Sequence, residues 1–307
     1  MKDKPTNLPA SVSARLRNIA RERRVNLELI LRRYALERLL VRLSLSSYRE
    51  RFVLKGAMLF TAWLADPFRP TQDLDLLGFG DTAIPSIAAA FREICRQEAS
   101  DDGLSFDVDG LIAEPIREDQ QYGGVRIRTK ALLGKIRIPI QVDIGFGDAI
   151  TPAIDHIEFP PLLHDKGPHL KAYPRETVVA EKFQAIVALG TANSRMKDFY
   201  DLLALARLFP FDGRAVAAAI RATFSRRATP LPRERPAGLS AGFASDKQKM
   251  ALWAAFVGRE PLLIQVDTLA TAIEETGTFV MPPTLAAHAN EDFAMTWIPP
   301  GPWQAAS

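Results

Sequence analysis

Two aspartates one residue apart, Asp73 and Asp75, stand among leucines in Asp73-Leu74-Asp75-Leu76-Leu77, and a Lys55-Gly56-Ala57 turn precedes them. Side chains of an extended strand alternate faces, so both carboxylates point to one side while Leu74 and Leu76 enter the core. Carboxylates sharing a face repel each other, and packing gains nothing from them. A divalent cation removes the conflict, since Mg²⁺ takes oxygen ligands and is commonly held by one or two carboxylates plus the phosphates of a substrate. Gly56 would let backbone approach a phosphate, and the N–H groups of Gly56 and Ala57 at the start of a helix would face it. These parts describe a site for nucleotide phosphates and a metal. The competing reading is a strand edge with two surface acids.

The elements that must hold these residues follow from pattern. Phe52-Val53-Leu54 is a short apolar strand, and Ala57–Leu64 is an apolar run without a breaker, read as a buried helix. Asp66-Pro67-Phe68-Arg69-Pro70 makes a turn, in which Arg69, with Thr71, is expected to shape the entry to the second strand and to contact phosphate. Residues 104–148 are strand-rich, with strands over Leu104–Asp109, Val125–Lys130 and Ile136–Ile144. In the last of these Asp143 lies between Val142 and Ile144, so its side chain faces away from theirs. Asp148, beyond Gly145-Phe146-Gly147, and Glu158 are weaker candidates. Arg175–Leu189 is a helix ended by Gly190. Its Lys182 sits among apolar residues, where an unpaired ammonium is costly to desolvate and a triphosphate would relieve the cost. Asp198 and Asp201 share a face of the next helix. They read as carboxylates favoured at a helix N-terminus, or as partners of Lys182 and Arg195, with Asp198 orienting Lys182.

The order of small-residue turn, helix and Asp-x-Asp strand resembles the DNA polymerase β-like nucleotidyltransferase superfamily. Phe52-Val53-Leu54-Lys55-Gly56-Ala57 followed by Arg69-Pro70-Thr71-Gln72-Asp73-Leu74-Asp75-Leu76 is similar, more narrowly, to the AbiEii/AbiGii toxin family, which includes the MenT-type toxins. So are the lead-in Tyr34–Ser44 and the downstream Glu181-Lys182 and Lys197-Asp198-Phe199-Tyr200-Asp201-Leu202. Many members carry Gly or Ser where this chain has Ala57, so here only the backbone N–H of that position would meet phosphate. The resemblance covers roughly Leu8 to Thr276. It implies an α+β fold: a polymerase β-like core on a mixed β-sheet, N-terminal helices and a helical C-terminal domain. It implies transfer of a nucleoside monophosphate from an NTP, with Asp73, Asp75 and Asp143 as metal ligands, Mg²⁺ or Mn²⁺ as cofactor, and Asp143 alternatively as base. Lys55, Gly56, Ala57, Arg69, Thr71, Lys182 and Asp198 would bind nucleotide, and Lys182 would also neutralise charge in the transition state. It further implies a cognate antitoxin protein as partner and an RNA acceptor such as the tRNA 3′ end. Transfer to a Ser, Thr or Tyr hydroxyl of a protein, and a non-catalytic nucleotide- or RNA-binding module, are the alternatives.

Bulk properties agree with a globular enzyme. The chain has 307 residues, 47% hydrophobic and 24% charged, with a formal net charge of +3, which permits nucleic-acid partners without requiring them. Its single cysteine, Cys95, excludes an internal disulfide and reads as a small core residue. No apolar run reaches the ~18 residues of a membrane span, and the N-terminus is polar, so a cytoplasmic protein with no membrane partner is expected. Arg15, Arg17, Arg21, Arg23, Arg24, Arg32 and Arg33 lie on two predicted N-terminal helices, more as solvated faces than as an RNA surface. Asp101-Asp102-Gly103 reads as a solvated turn, and the basic stretch 225–238 as a loop or RNA contact. The expected organisation is a helical lead-in over 1–48, a catalytic core over 49–160, a helical domain over 161–278 and an irregular tail over 279–307, whose Trp297 and Trp303 dock on the body or a partner.

Overall fold

The computed structural model describes residues 7–64, 71–99, 102–116, 123–258, 262–266 and 268–305. The chain forms two compact units, one of residues 1–147 with 155–172 and one of residues 148–154 with 173–307. Together they give the α+β class with a mixed sheet that the sequence implied. Arg69 and the Asp66–Pro70 turn, Asp101 and Tyr122 lie outside the described residues.

The first unit opens with α1 (Leu8–Glu22) and α2 (Leu27–Leu45), whose N-termini are capped by Asn7 and Asn26 through bonds from the N–H groups of Ala10 and Glu28. Then follow β1 (Phe52–Lys55), α3 (Met58–Trp63), β2 (Leu74–Gly78), α4 (Ile84–Arg96), β3 (Leu104–Phe106), β4 (Ile112–Ile116), β5 (Gly124–Leu133), β6 (Ile136–Phe146), β7 (Asp155–Glu158) and β8 (His169–Ala172). All eight strands form one sheet in the order β3-β5-β6-β2-β1-β8-β7, with β4 sharing the β3 edge of β5. The β2–β6 and β1–β8 pairs are parallel and the others antiparallel. Leu54, Leu76, Val142, Ile144, Val125 and Ile127 are buried on one face of this sheet. Alternation therefore delivers the intervening charged residues of β1, β2, β6 and β5 to the other face.

The sheet continues past residue 160, the limit expected for the core. β7 and β8 are four residues each and lie among prolines, too short to show alternation; what places β8 is its parallel pairing with β1 through Leu54 and Ala172. Asp102 also corrects the sequence reading. It is buried, and it accepts from Arg42 at 2.6 Å, from Arg38 at 3.2 Å and from the Leu104 N–H at 3.0 Å. Tyr34 donates to the Asp102 carbonyl at 3.0 Å, so this turn is anchored to α2 and is not solvated. Of the N-terminal arginines, Arg15 donates to the Leu163 carbonyl and Arg32 pairs with Glu28, while Arg17, Arg21, Arg23 and Arg24 are exposed.

The second unit is built from α5 (Arg175–Leu189), α6 (Met196–Leu208), α7 (Gly213–Arg226), α8 (Ala241–Ser245), α9 (Lys247–Val257) and α10 (Leu269–Ala289). A small antiparallel sheet joins β9 (Phe211–Asp212), β10 (Met295–Trp297) and β11 (Trp303–Ala305). Phe183, Phe199, Phe224 and Phe279 fill its core. The segment from 279 onward is not irregular as expected: α10 runs through Pro282 and Pro283. A proline at 283 cannot donate to the carbonyl four residues earlier, that of Phe279. Trp303 Nε1 supplies the missing donor to Phe279 O at 2.9 Å, and Trp297 Nε1 donates to Ala206 O at 2.6 Å. Both tryptophans thus dock on the body. In the basic stretch 225–238, Arg227 is paired to Asp148 and Glu181 and Arg235 to Glu274, while Arg226 and Arg233 are exposed. Among the described residues no helix is long and apolar enough to cross a membrane.

Glu37 on α2 is fully buried beside Arg38 and accepts from the Leu162 N–H at 2.8 Å. Burial pushes its carboxyl up to about 7, against the opposing pull of the Leu162 N–H and the Arg38 and Arg33 charges. A carboxyl raised in the folded state favours folding most at low pH, and the benefit fades as pH rises from the unfolded value of 4.5 through 7. Urea unfolding of Glu37→Gln, which keeps an acceptor for Leu162, is expected to gain about 2 kcal/mol on wild type between pH 5 and pH 8. Parallel pH profiles would show that Glu37 is charged in the folded state throughout.

Candidate active site

One cross-strand row of charged residues crosses one face of the first unit's sheet. Lys55 on β1 pairs with Asp75 on β2, Asp75 with Asp143 on β6, Asp143 with Arg126 on β5, and Arg126 with Glu114 on β4. Residues directly opposite on neighbouring strands share a face and stand ~5 Å apart, where like charges destabilise the pair. Asp75 and Asp143 are such a like-charged pair, flanked on each side by a cation. Asp73 immediately precedes β2 and is two residues from Asp75. Its backbone is held by Thr71, whose hydroxyl donates to Asp73 O at 2.9 Å and accepts from Asp73 N at 3.4 Å. Thr71 therefore shapes the entry to the strand.

Asp143 is bound by Arg126 in a bidentate fork, Nε to Oδ1 at 2.8 Å and the terminal nitrogen to Oδ2 at 2.6 Å, with Gln141 at 3.4 Å from Oδ2. This raises the Arg126 pKa, first through the Asp143 hydrogen bonds and then through the charges of Asp143, Asp73 and Glu114, against partial burial. The guanidinium thus feels Asp73 as well as Asp143. Arg126 was not singled out from sequence, although a signal existed. β5 and β6 join through a two-residue loop, Gly134-Lys135, with Gly134 in the left-handed region and Leu133 opposite Ile136. Counting eight residues from that turn along each strand reaches Arg126 and Asp143.

Gly56 explains why a glycine closes β1. Its φ is +72°, and a Cβ there would lie 2.7 Å from Asp75 Cβ and Cγ and closer still to Oδ2. The Asp75 carboxylate lies against the bare Cα, so the turn and the acid interlock. Ala57 begins α3 with ordinary helical angles, φ −69° and ψ −23°. Its Cβ is therefore tolerated where Gly56 would not accept one.

Lys182 and Asp198 belong to the second unit. Lys182 Nζ contacts Asp198 Oδ1 at 3.1 Å and Asp201 Oδ2 at 2.6 Å, and Arg195 Nε contacts Asp198 Oδ2 at 2.7 Å. Both carboxylates are fully buried. Burial alone would raise the Asp198 pKa, but the Lys182 and Arg195 charges and the Lys182 hydrogen bond hold it below the ordinary value. Asp148, the rival for the third carboxylate, accepts from Arg227 at 3.0 Å in this same unit, and Glu158 on β7 accepts from the Gly167 N–H at 3.3 Å. Cys95 is buried on α4, its thiol pushed up to about 12 by burial, consistent with a core residue.

The donor set bears on the metal. Asp75 on β2 and Asp73 just before it supply carboxylates, the donor type suited to Mg²⁺ or Mn²⁺ shared with phosphates. Among the described residues no group of three or more His, Cys, Asp or Glu is arranged to hold a metal ion. Gly56→Ala is expected to cost roughly 1–3 kcal/mol in urea unfolding, through left-handed backbone strain and displacement of Asp75. Ala57→Ser, at φ −69°, is expected to cost less than about 0.5 kcal/mol. Equal costs for the two would remove the interlock from the account.

No curated protein matches the chain. Among solved structures, a "putative nucleotidyltransferase" from Helicobacter pylori aligns at 15% identity and a TM-score of 0.46, covering 83% of this chain and 95% of that one. JHP933 from Helicobacter pylori aligns at 16% identity and a TM-score of 0.45, covering 82% and 89%. The family model described as nucleotidyl transferase AbiEii toxin, type IV TA system, matches residues 38–274, most of the 307-residue chain and all of the Lys55–Asp75–Asp143–Arg126 row. The chain belongs to the AbiEii family of nucleotidyltransferase toxins.

Proposed function

We propose that this AbiEii nucleotidyltransferase moves a nucleoside monophosphate from an NTP to an RNA hydroxyl, with the 3′ end of tRNA as the leading acceptor, in a Mg²⁺-dependent reaction. The observation that carries this reading is the in-register row on the sheet, with Gly56 bringing backbone against the Asp75 carboxylate. Asp73 and Asp75 would hold the metal, Mg²⁺ or Mn²⁺, which on binding neutralises triphosphate charge and polarises the phosphoryl group under attack. The N–H groups of Gly56 and Ala57 bind phosphate oxygens, and Lys55, opposite Asp75, adds positive charge beside them. Thr71 fixes the Asp73 backbone at the entry to β2, and Arg69 is proposed to contact phosphate. Lys182, held by Asp198 within the second unit, is the proposed phosphate-binding cation of that unit. The hydroxyl oxygen of the acceptor forms the new bond to the α-phosphorus, the bond from that phosphorus to the bridging oxygen breaks, and pyrophosphate leaves. The hydroxyl proton passes to Asp143 or to solvent.

The family implies a nucleotide substrate and an antitoxin partner. On this proposal the antitoxin is a protein and the toxin works in the cytoplasm, where tRNA is available. Transfer to a protein hydroxyl is the competing outcome of the same test.

Purified protein incubated with each α-³²P-labelled NTP, Mg²⁺ and total tRNA is expected to label tRNA with one nucleotide. Asp73→Ala/Asp75→Ala is expected to lose roughly 10³-fold or more of this labelling, while melting near the wild-type temperature. Label on protein and none on tRNA would overturn the acceptor assignment. Undiminished labelling by the double variant would overturn the site.

A further inference from the structure

We propose that Arg126 is a positioning residue that occupies the Asp143 carboxylate in place of a second divalent cation, leaving Asp73 and Asp75 as the pair that takes metal. The inference rests on the nucleotidyl-transfer reading above and deepens it.

Three observations carry it. First, β2 and β6 place Asp75 and Asp143 directly opposite each other in parallel register, so a compensating cation is needed whether or not nucleotide is present. Second, Arg126 supplies that cation in a fork that engages both Asp143 oxygens at 2.8 and 2.6 Å, and both side chains are largely shielded, 28% and 18% exposed. A planar guanidinium matches a carboxylate in this way, whereas Lys presents a point charge. Third, the hairpin that delivers Arg126 makes the pairing part of the sheet itself, because the cross-strand partner of Asp143 is Arg126. Mg²⁺ requires near-octahedral oxygen ligation at short distance and releases its waters reluctantly. Capture of Asp143 as a ligand would therefore require breaking two charge-assisted hydrogen bonds. Asp73 lies within electrostatic reach of the same guanidinium, so Arg126 also limits how much cation the neighbouring pair attracts before a triphosphate arrives.

The test measures Mn²⁺ binding to the full chain by electron paramagnetic resonance, without nucleotide. Arg126→Gln is expected to bind Mn²⁺ about 10-fold more tightly than wild type, because two charge-assisted bonds no longer compete for Asp143. Arg126→Gln/Asp143→Asn is expected to lose that gain, since the two substitutions act through one contact. Arg128→Gln removes a neighbouring exposed charge, paired to Glu114, without touching Asp143, and is expected to change affinity less than about 2-fold. Arg126→Lys keeps the charge without the fork and is expected to fall between wild type and Arg126→Gln. Thermal melts identify any variant that fails to fold, and Arg126→Lys then carries the comparison.

Wild-type affinity in Arg126→Gln and in Arg126→Lys, with Mn²⁺ binding still lost in Asp73→Asn/Asp75→Asn, would overturn this inference and leave the transfer site standing. A gain in Arg126→Gln that persists in the Asp143→Asn background would overturn it as well, as a bulk charge effect. Mn²⁺ binding indifferent to Asp73→Asn/Asp75→Asn would remove the site reading and this inference together.

Discussion

Repulsion between Asp75 and Asp143 across adjacent parallel strands is the constraint to which the rest of the first unit answers. Two carboxylates in direct register destabilise a sheet unless cations flank them, and the chain supplies Lys55 on one side and Arg126 on the other. The opposite face of the same strands is a continuous apolar layer of Leu54, Leu76, Val142, Ile144, Val125 and Ile127, which fixes the register; a slip of one residue would send every acid into the core. Gly56 completes the arrangement, because only a residue without Cβ both accepts φ +72° and leaves room for the Asp75 carboxylate. The sheet thus concentrates negative charge at one place and holds it there by packing elsewhere.

Each unit also contains a buried ionic cluster that no nucleotide is needed to explain. In the first, Asp102 gathers Arg38, Arg42 and the Leu104 N–H, tying the strand-leading turn to α2. In the second, Lys182 and Arg195 compensate Asp198 and Asp201, both fully buried. Such clusters contribute little net stability compared with apolar packing, yet removing one member leaves an uncompensated buried charge and costs roughly 3–5 kcal/mol. Lys182 therefore has a structural duty beside the phosphate contact proposed for it. A substitution there changes folding as well as chemistry, which is why the carboxylates of β2 are the cleaner place to probe function.

The turn and strand pattern that carries the candidate site was legible in the sequence because its logic is local. Gly56, the helix after it and the alternation around Asp73, Asp75 and Asp143 all follow from short-range rules of turn and strand. The family resemblance, drawn from the same residues, agrees with the match over 38–274. What escaped was set by pairing between distant segments. Arg126 reads as one polar residue of an alternating strand until the β5–β6 hairpin is counted from Gly134. Asp102 reads as a turn residue because its partners, Arg38 and Arg42, are some sixty residues earlier. β7 and β8 are too short to announce themselves, and Pro282-Pro283 signals a break that Trp303 repairs by capping the Phe279 carbonyl.

The measurement that bears most directly on this account is a crystal soak with NTP and Mn²⁺, read by anomalous scattering at the manganese edge. The account predicts an anomalous peak in contact with the Asp73 and Asp75 carboxylates, triphosphate oxygens against the Gly56–Ala57 turn, and the Arg126–Asp143 fork intact. Nucleotide bound away from that turn, with no peak at Asp73 and Asp75, would contradict it.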